Sequence, residues 1–280
     1  MRSWITKNPV SNSAEKLHFI ISPGRSGTTL LRKHLLENTT IHIPPESYSL
    51  IHEVSRNYLN QKADQKTVDK SIDSFLALGL NKYWKIQTSK LREYIHDNFH
   101  EDSSLQALIL SFYTYHSICY NPEANAFVDK TPFLSQNLKW LQIIYPESNY
   151  LFLIRNPFDV TFSRMRYFHE SIEEASDRWL WSVKEYMKYK HCLNWKLVFY
   201  ESLVKNFDEK MAEIALFFHA DLIGKKKKIA LGEEHFDHHA NLFKDIRKMN
   251  SSSWNSKELD FLSRKFSNIT DAEIRAYYSV

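Results

Sequence analysis

One stretch constrains what this chain can fold into more than any other: LHFIISPGRSGTTLLRKHLL, from Leu17 to Leu36. The apolar run Leu17–Ile21 reads as a buried strand. It ends in Ser22-Pro23-Gly24-Arg25-Ser26-Gly27-Thr28-Thr29, and a leucine-rich helical pattern follows. A strand, a glycine-bearing loop and a helix, in that order, make a phosphate cradle. The glycines let the backbone turn tightly, and the first N–H groups of the helix, which lack intrahelical acceptors, point into the loop. Arg25 adds a fixed positive charge, and Ser26, Thr28 and Thr29 add hydroxyl donors. An anionic nucleotide is the natural occupant. The residues also allow an ordinary strand-to-helix turn.

Three further apolar runs read as strands: Ala126–Val128, Tyr150–Ile154 and Lys196–Phe199. Helical patterns follow them. Leu134, Leu138, Leu141 and Tyr145 share one helical face, as do Val204, Phe207, Met211, Ile214 and Phe218. Strands alternating with helices, without hairpin turns, predict an α/β fold whose parallel sheet is covered on both faces. Ligands in such sheets sit beyond the carboxyl ends of the strands. Between residues 51 and 120 the spacing of Val68, Ile72, Phe75 and Leu76, and of Leu105, Leu108, Ile109 and Phe112, predicts a helical insertion. It suits either a lid or acceptor wall, or helices that only cover the sheet.

With 280 residues, 43 % of them hydrophobic, the chain can bury one substantial core, so a single domain over residues 1–280 is expected. The net charge of +4 is too small to argue for a nucleic-acid partner. No run approaches the roughly 20 apolar residues of a membrane span. The first residues, MRSWITKNPVSNSAEK, lack the apolar core of a secretory signal. The expectation is a cytoplasmic protein. Cys119 and Cys192 are expected as buried free thiols.

A second anchor follows the run Tyr150–Ile154: Arg155-Asn156-Pro157-Phe158-Asp159-Val160-Thr161-Phe162-Ser163. An arginine at a strand end, eight residues before a serine early on the next helix, can grip one phosphate from two sides. Arg155 can equally pair with Asp159 at the start of that helix.

Together, PGRSGTTLL and LIRNPFDVTFSRMRYF resemble the 5′-phosphosulfate-binding and 3′-phosphate-binding motifs of sulfotransferases that use 3′-phosphoadenosine 5′-phosphosulfate. Val128-Asp129-Lys130-Thr131-Pro132 resembles the family's DKTP-type element, and Phe199-Tyr200-Glu201-Ser202-Leu203 its Tyr-Glu-x-Leu element. The resemblance covers residues 17–203. It implies a P-loop-like α/β fold and sulfuryl transfer from that donor, without a metal, to a hydroxyl or amine of a small molecule, sugar, lipid or peptide. The phenol and hydroxysteroid branch usually has Lys where this chain has Arg25. The loop looks more like the branch of tyrosylprotein and several bacterial and carbohydrate enzymes. In the tyrosylprotein enzymes a glutamate base follows the loop arginine by about 21 residues, and Glu46 occupies that place.

The resemblance therefore implies Glu46 as general base, with Arg25 and Lys130 stabilising the leaving oxygen. Gly24, Ser26, Gly27, Thr28 and Thr29 would hold the 5′-phosphate, and Arg155 and Ser163 the 3′-phosphate. Tyr200 would contact the nucleotide or sit in the core. His42, His52, His116 and His169 are weaker candidates for a base. Trp254 loosely resembles a Trp of the family's nucleotide-covering region, and Arg247, Ser251 and Ser253 are open candidates for adenine binding. The Lys225–Lys228 run reads as a solvated loop. His235, His238 and His239 lack the companions and spacing of a zinc site. A P-loop kinase is the competing enzyme, but it would want Lys where Thr28 stands. A binding protein without turnover is a third reading.

Overall fold

The computed structural model describes residues 16–47, 50–58, 64–100, 103–136, 138–224 and 254–279. Among the described residues five strands make one sheet: β1 (Leu17–Ile21), β2 (Ile41–His42), β3 (Ala126–Asp129), β4 (Asn149–Ile154) and β5 (Asn194–Phe199), in the order β2-β3-β1-β4-β5. The β2–β3, β1–β4 and β4–β5 pairs are parallel. Every residue of β1 and β4 is buried. That explains their unbroken apolar runs, because a strand covered on both faces has no solvent side to alternate with. Four of the strands lie where the apolar runs predict them. β2 has no sequence signal, since two residues are too few for a period.

Thirteen α-helices are seen among the described residues. The first six are α1 (Thr28–Asn38), α2 (Leu50–Tyr58), α3 (Gln65–Ala77), α4 (Leu80–Trp84), α5 (Thr88–Asn98) and α6 (Leu105–Tyr120). A 3₁₀ turn at Pro132–Gln136 precedes α7 (Leu138–Ile144). Then come α8 (Pro157–Phe168), α9 (Ile172–Tyr189), α10 (Tyr200–Lys205), α11 (Phe207–Phe217), α12 (Ser256–Phe266) and α13 (Ala272–Tyr278). Two expected helices are divided. Leu134 falls in the 3₁₀ turn and Tyr145 just past α7, yet both are buried with Leu138 and Leu141. Val204 lies on α10, and the chain leaves helical backbone at Asn206 before α11 begins.

The chain divides into two compact units. Among the described residues, the first comprises 16–18, 35–129 and 215–224, and the second comprises 19–34, 130–214 and 254–279. In the first unit the helical insertion has its own aromatic core. Trp84 sits edge-on to Phe75 and to Tyr113, with ring centroids 5.3 Å apart in each pair. In the second unit Phe19 of β1 stacks on Tyr150 of β4 at 5.1 Å, and Tyr150 donates its hydroxyl to the Tyr145 carbonyl at 2.8 Å. A buried tyrosine needs such an acceptor. On the same face of β4, Phe152 stacks on Tyr186 of α9 at 4.5 Å.

Cys119 and Cys192 are free but exposed, against the expectation of burial. Cys119 lies in the last turn of α6, and Cys192 in the turn between α9 and β5. No described helix is long and apolar enough to cross a membrane.

Candidate active site

The loop between β1 and α1 has the backbone a phosphate cradle requires. Gly24, Arg25 and Gly27 all have positive φ, at 76°, 55° and 88°. Ser22 Oγ accepts from the Gly24 N–H at 3.0 Å, and Ser26 Oγ donates to the Gly24 carbonyl at 3.2 Å. α1 then starts, with Leu31 N–H donating to the Gly27 carbonyl at 3.0 Å. The N–H groups before Leu31 have no acceptor within the helix. Gly27 is irreplaceable for a second reason. A Cβ there would lie 2.3 Å from Cε2 of Tyr200.

Three arginines of the second unit converge on this loop, and their surroundings differ. Arg155, at the end of β4, pairs with Asp159 at 3.2 Å and is 7 % exposed. Arg164, on α8, makes a two-pronged pair with Glu170 at 2.6 and 2.7 Å and reaches the Pro23 carbonyl at 3.5 Å. Among the described residues, the partners of Arg25 are uncharged: its Nε donates to Ser163 Oγ at 3.1 Å, and its guanidinium lies 4.2 Å from the centre of the Tyr167 ring. Burial lowers the pKa of Arg25, Tyr167 opposes that, and repulsion from Arg155 and Arg164 adds to it. The group stays charged, with an ordinary value so far above neutrality. A positive charge that is partly buried and lies near two other arginines is stabilised by an incoming anion.

Tyr200, at the start of α10, joins the two anchors. Its buried ring packs against Gly27, and the Arg155 guanidinium lies 5.0 Å from the ring centre. Arg25 and Ser163 also come together, whereas the sequence pairs Ser163 with Arg155. The Arg155–Asp159 pair is real as well. Of the remaining hydroxyls, Ser26 and Thr28 are buried and Thr29 is half-buried. Lys130 follows β3 and is buried at 5 % exposure, so it is no surface lysine. Glu46 belongs to the first unit, half-buried in the loop after β2.

The histidines divide clearly. His42 and His116 are fully buried and share a hydrogen bond of 2.8 Å between Nε2 and Nδ1. His52 lies 3.7 Å from Glu53 on α2, and His169 caps α8 in the left-handed region. Among the described residues no group of three or more His, Cys, Asp or Glu side chains could hold a metal ion. Trp254 meets Phe162 edge-on at 5.7 Å. The Lys225–Lys228 run, His235, His238, His239, Arg247, Ser251 and Ser253 lie outside the described residues.

Sequence reasoning missed Arg164 and Tyr167. The signal was present: Ser163, Arg164 and Tyr167 fall within one turn of α8, and residues three or four apart face the same way.

Two kinds of comparison bear on this arrangement. The model of the sulfotransferase family matches residues 18–223. Among solved structures, the sulfotransferase domain from the Synechococcus PCC 7002 olefin synthase is 18 % identical, covering 91 % of this chain and 96 % of that one, with a TM-score of 0.58. The sulfotransferase domain from the curacin biosynthetic pathway is also 18 % identical, covering 90 % of this chain and 97 % of that one, with a TM-score of 0.57. At such identity the likeness concerns the fold. No curated protein sequence matches.

Proposed function

This chain belongs to the sulfotransferase family, and we propose that it moves a sulfuryl group from 3′-phosphoadenosine 5′-phosphosulfate to an acceptor hydroxyl or amine. The observation that carries the choice of donor is the Arg25 guanidinium. It belongs to a positive-φ loop and lies near two other arginines, and among the described residues its own partners are a hydroxyl and an aromatic ring. A nucleotide with phosphate groups at both ends of its ribose supplies the negative charge that such a site lacks.

In this reading the loop N–H groups and the hydroxyls of Ser26, Thr28 and Thr29 hold the 5′-phosphate, while Gly24 and Gly27 give the backbone its turn. Arg155 and Ser163 hold the 3′-phosphate, and Tyr200 lies against the nucleotide between the two grips. The donor supplies an activated sulfuryl group on a phosphate oxygen. Arg25 and Lys130 neutralise the charge that grows on that oxygen as the bond to sulfur breaks. Fixed donors aimed at developing charge are usually the largest single contribution to such a transfer. Glu46 takes the acceptor proton. The stiffness of Pro44-Pro45 before it helps to hold the carboxylate in one place. Within the second unit, Arg25 follows the carboxyl end of β1, Arg155 that of β4 and Tyr200 that of β5. That is where a parallel sheet binds its ligands.

The test is thermal unfolding with nucleotides, followed by turnover. Addition of 3′-phosphoadenosine 5′-phosphate without divalent metal should raise Tm, by mass action on the folded state. Labelled donor should then pass sulfate to members of a panel of phenols, sugars, lipids and peptides. Equal stabilisation by ATP–Mg²⁺, with none by the bisphosphate, would sink the reading in favour of a kinase-like site.

A further inference from the structure

The proposed site does not use Glu201, yet this glutamate is one of the most constrained carboxylates in the second unit. Both of its oxygens are engaged. Oε1 accepts from the backbone N–H of Asn156 at 2.8 Å, and Oε2 accepts from the Tyr278 hydroxyl at 3.0 Å. Burial pushes its carboxyl above the ordinary range, opposed by these hydrogen bonds and by Arg155. A carboxylate out of water is costly unless its partners compensate it.

The partner that matters is the Asn156 amide. A single peptide plane joins Arg155 to Asn156, and it has one carbonyl and one N–H. The carbonyl, that of Arg155, accepts from Trp179 Nε1 at 3.0 Å. The N–H, that of Asn156, donates to Glu201. Side chains from α9 and α10 therefore hold this plane at both of its polar ends. It cannot rotate without leaving a donor and an acceptor unsatisfied. Asn156 then caps α8 by accepting from the Phe158 N–H at 2.9 Å, so Arg155 is the last residue before the helix with its direction still to be set.

Tyr278 locks Glu201 in turn. Its neighbour Tyr277 stacks flat on Phe199 at 3.7 Å, and Tyr278 meets the same ring edge-on at 5.6 Å. These contacts seat α13 against the end of β5, immediately before Glu201. The chain of contacts thus runs from α13 through Glu201 to the backbone of Arg155.

We propose that Glu201 and Tyr278 are positioning residues for Arg155: they fix the peptide plane from which its guanidinium is aimed, and so set recognition of the 3′-phosphate. This rests on the donor reading above. The discriminating measurement is calorimetric affinity for 3′-phosphoadenosine 5′-phosphate and for adenosine 5′-phosphate, with KM for the donor alongside.

Glu201→Ala should weaken the bisphosphate about tenfold or more, as expected for the loss of a hydrogen bond to a charged group, and the monophosphate less than about twofold. Glu201→Gln keeps an oxygen for the Asn156 amide and should recover most of that loss. Tyr278→Phe removes one hydroxyl while keeping the ring, and should give a smaller loss in the same direction, seen in KM more than in kcat. Equal losses for both nucleotides, or no loss in Glu201→Ala, would overturn the positioning role while leaving the donor reading intact. Failure of the wild type to bind the bisphosphate would overturn both.

Discussion

Arg25 Nε donates to Ser163 Oγ at 3.1 Å, across 138 residues of chain. This bond ties the loop after β1 to the first turns of α8, so the two phosphate grips are mechanically linked. Ser163→Ala should cost about 1.5–3 kcal/mol of bisphosphate affinity, the range for a hydrogen bond to a charged group. Because Ser163 steadies the loop arginine, adenosine 5′-phosphate should weaken as well. Titration calorimetry with both nucleotides checks this, and a loss confined to the bisphosphate would contradict the link.

Arg155→Ala should behave differently. It removes a buried charge aimed at the 3′-phosphate, so bisphosphate affinity should fall by roughly 2–5 kcal/mol. Adenosine 5′-phosphate should be almost unaffected. The variant also strips Asp159 of its partner. Burial already raises that carboxyl and Arg155 opposes the rise, so Asp159 should titrate higher still in the variant. Carboxyl titration by NMR would show it.

Gly27→Ala meets two obstacles. Its φ of 88° is unfavourable for an L side chain, and its Cβ would lie 2.3 and 2.5 Å from ring carbons of Tyr200. Together these should destabilise the protein by about 2–5 kcal/mol. Adding Tyr200→Ala should relieve the clash but not the backbone strain. In urea unfolding the double variant should therefore be more stable than the sum of the two single losses implies. Simple additivity would show that Tyr200 does not press on the loop.

Glu46→Gln keeps the size of the side chain and removes its basic site. In the proposed mechanism kcat should fall by about 10²–10⁴, with bisphosphate affinity nearly unchanged. Near-normal turnover would transfer the role to another group. His42 is a poor substitute, being fully buried against His116, so His52 would be tested next.

Asp271 offers a test of stability against pH. It caps α13, accepting from the N–H groups of Glu273 and Ile274, and pairs with Lys190 at 2.7 Å. Burial would raise its carboxyl, but Lys190 and the two backbone donors outweigh burial and hold it below the usual 3.8. A carboxyl lowered on folding adds stability above its unfolded value, and that stability is lost as the pH falls through the folded value. The stability advantage of the wild type over Asp271→Asn should thus be constant from neutral pH to about pH 5 and shrink below about pH 4. A gap that widens in acid would reverse the sign.

What the chain alone determined is the part that local physics controls. Leu17–Ile21 and Tyr150–Ile154 are apolar without interruption because a strand buried on both faces has no polar side, so both strands were legible. The glycines of the β1–α1 loop announced a backbone of positive φ, and the insertion helices followed their 3.6-residue period. Tertiary structure decided the pairings. β2 exists only because Ile41 and His42 lie beside Ala126 and Phe127, and no two-residue pattern can encode that. Ser163 sits eight residues from Arg155 in sequence yet bonds Arg25. The order of strands, rather than spacing along one segment, sets which loop faces α8. Tyr200 was readable either as core or as a nucleotide contact. It is buried, and it is also the wall against which Gly27 turns. Periodicity reports whether a side chain is covered; what covers it is decided by contacts between segments distant in the sequence.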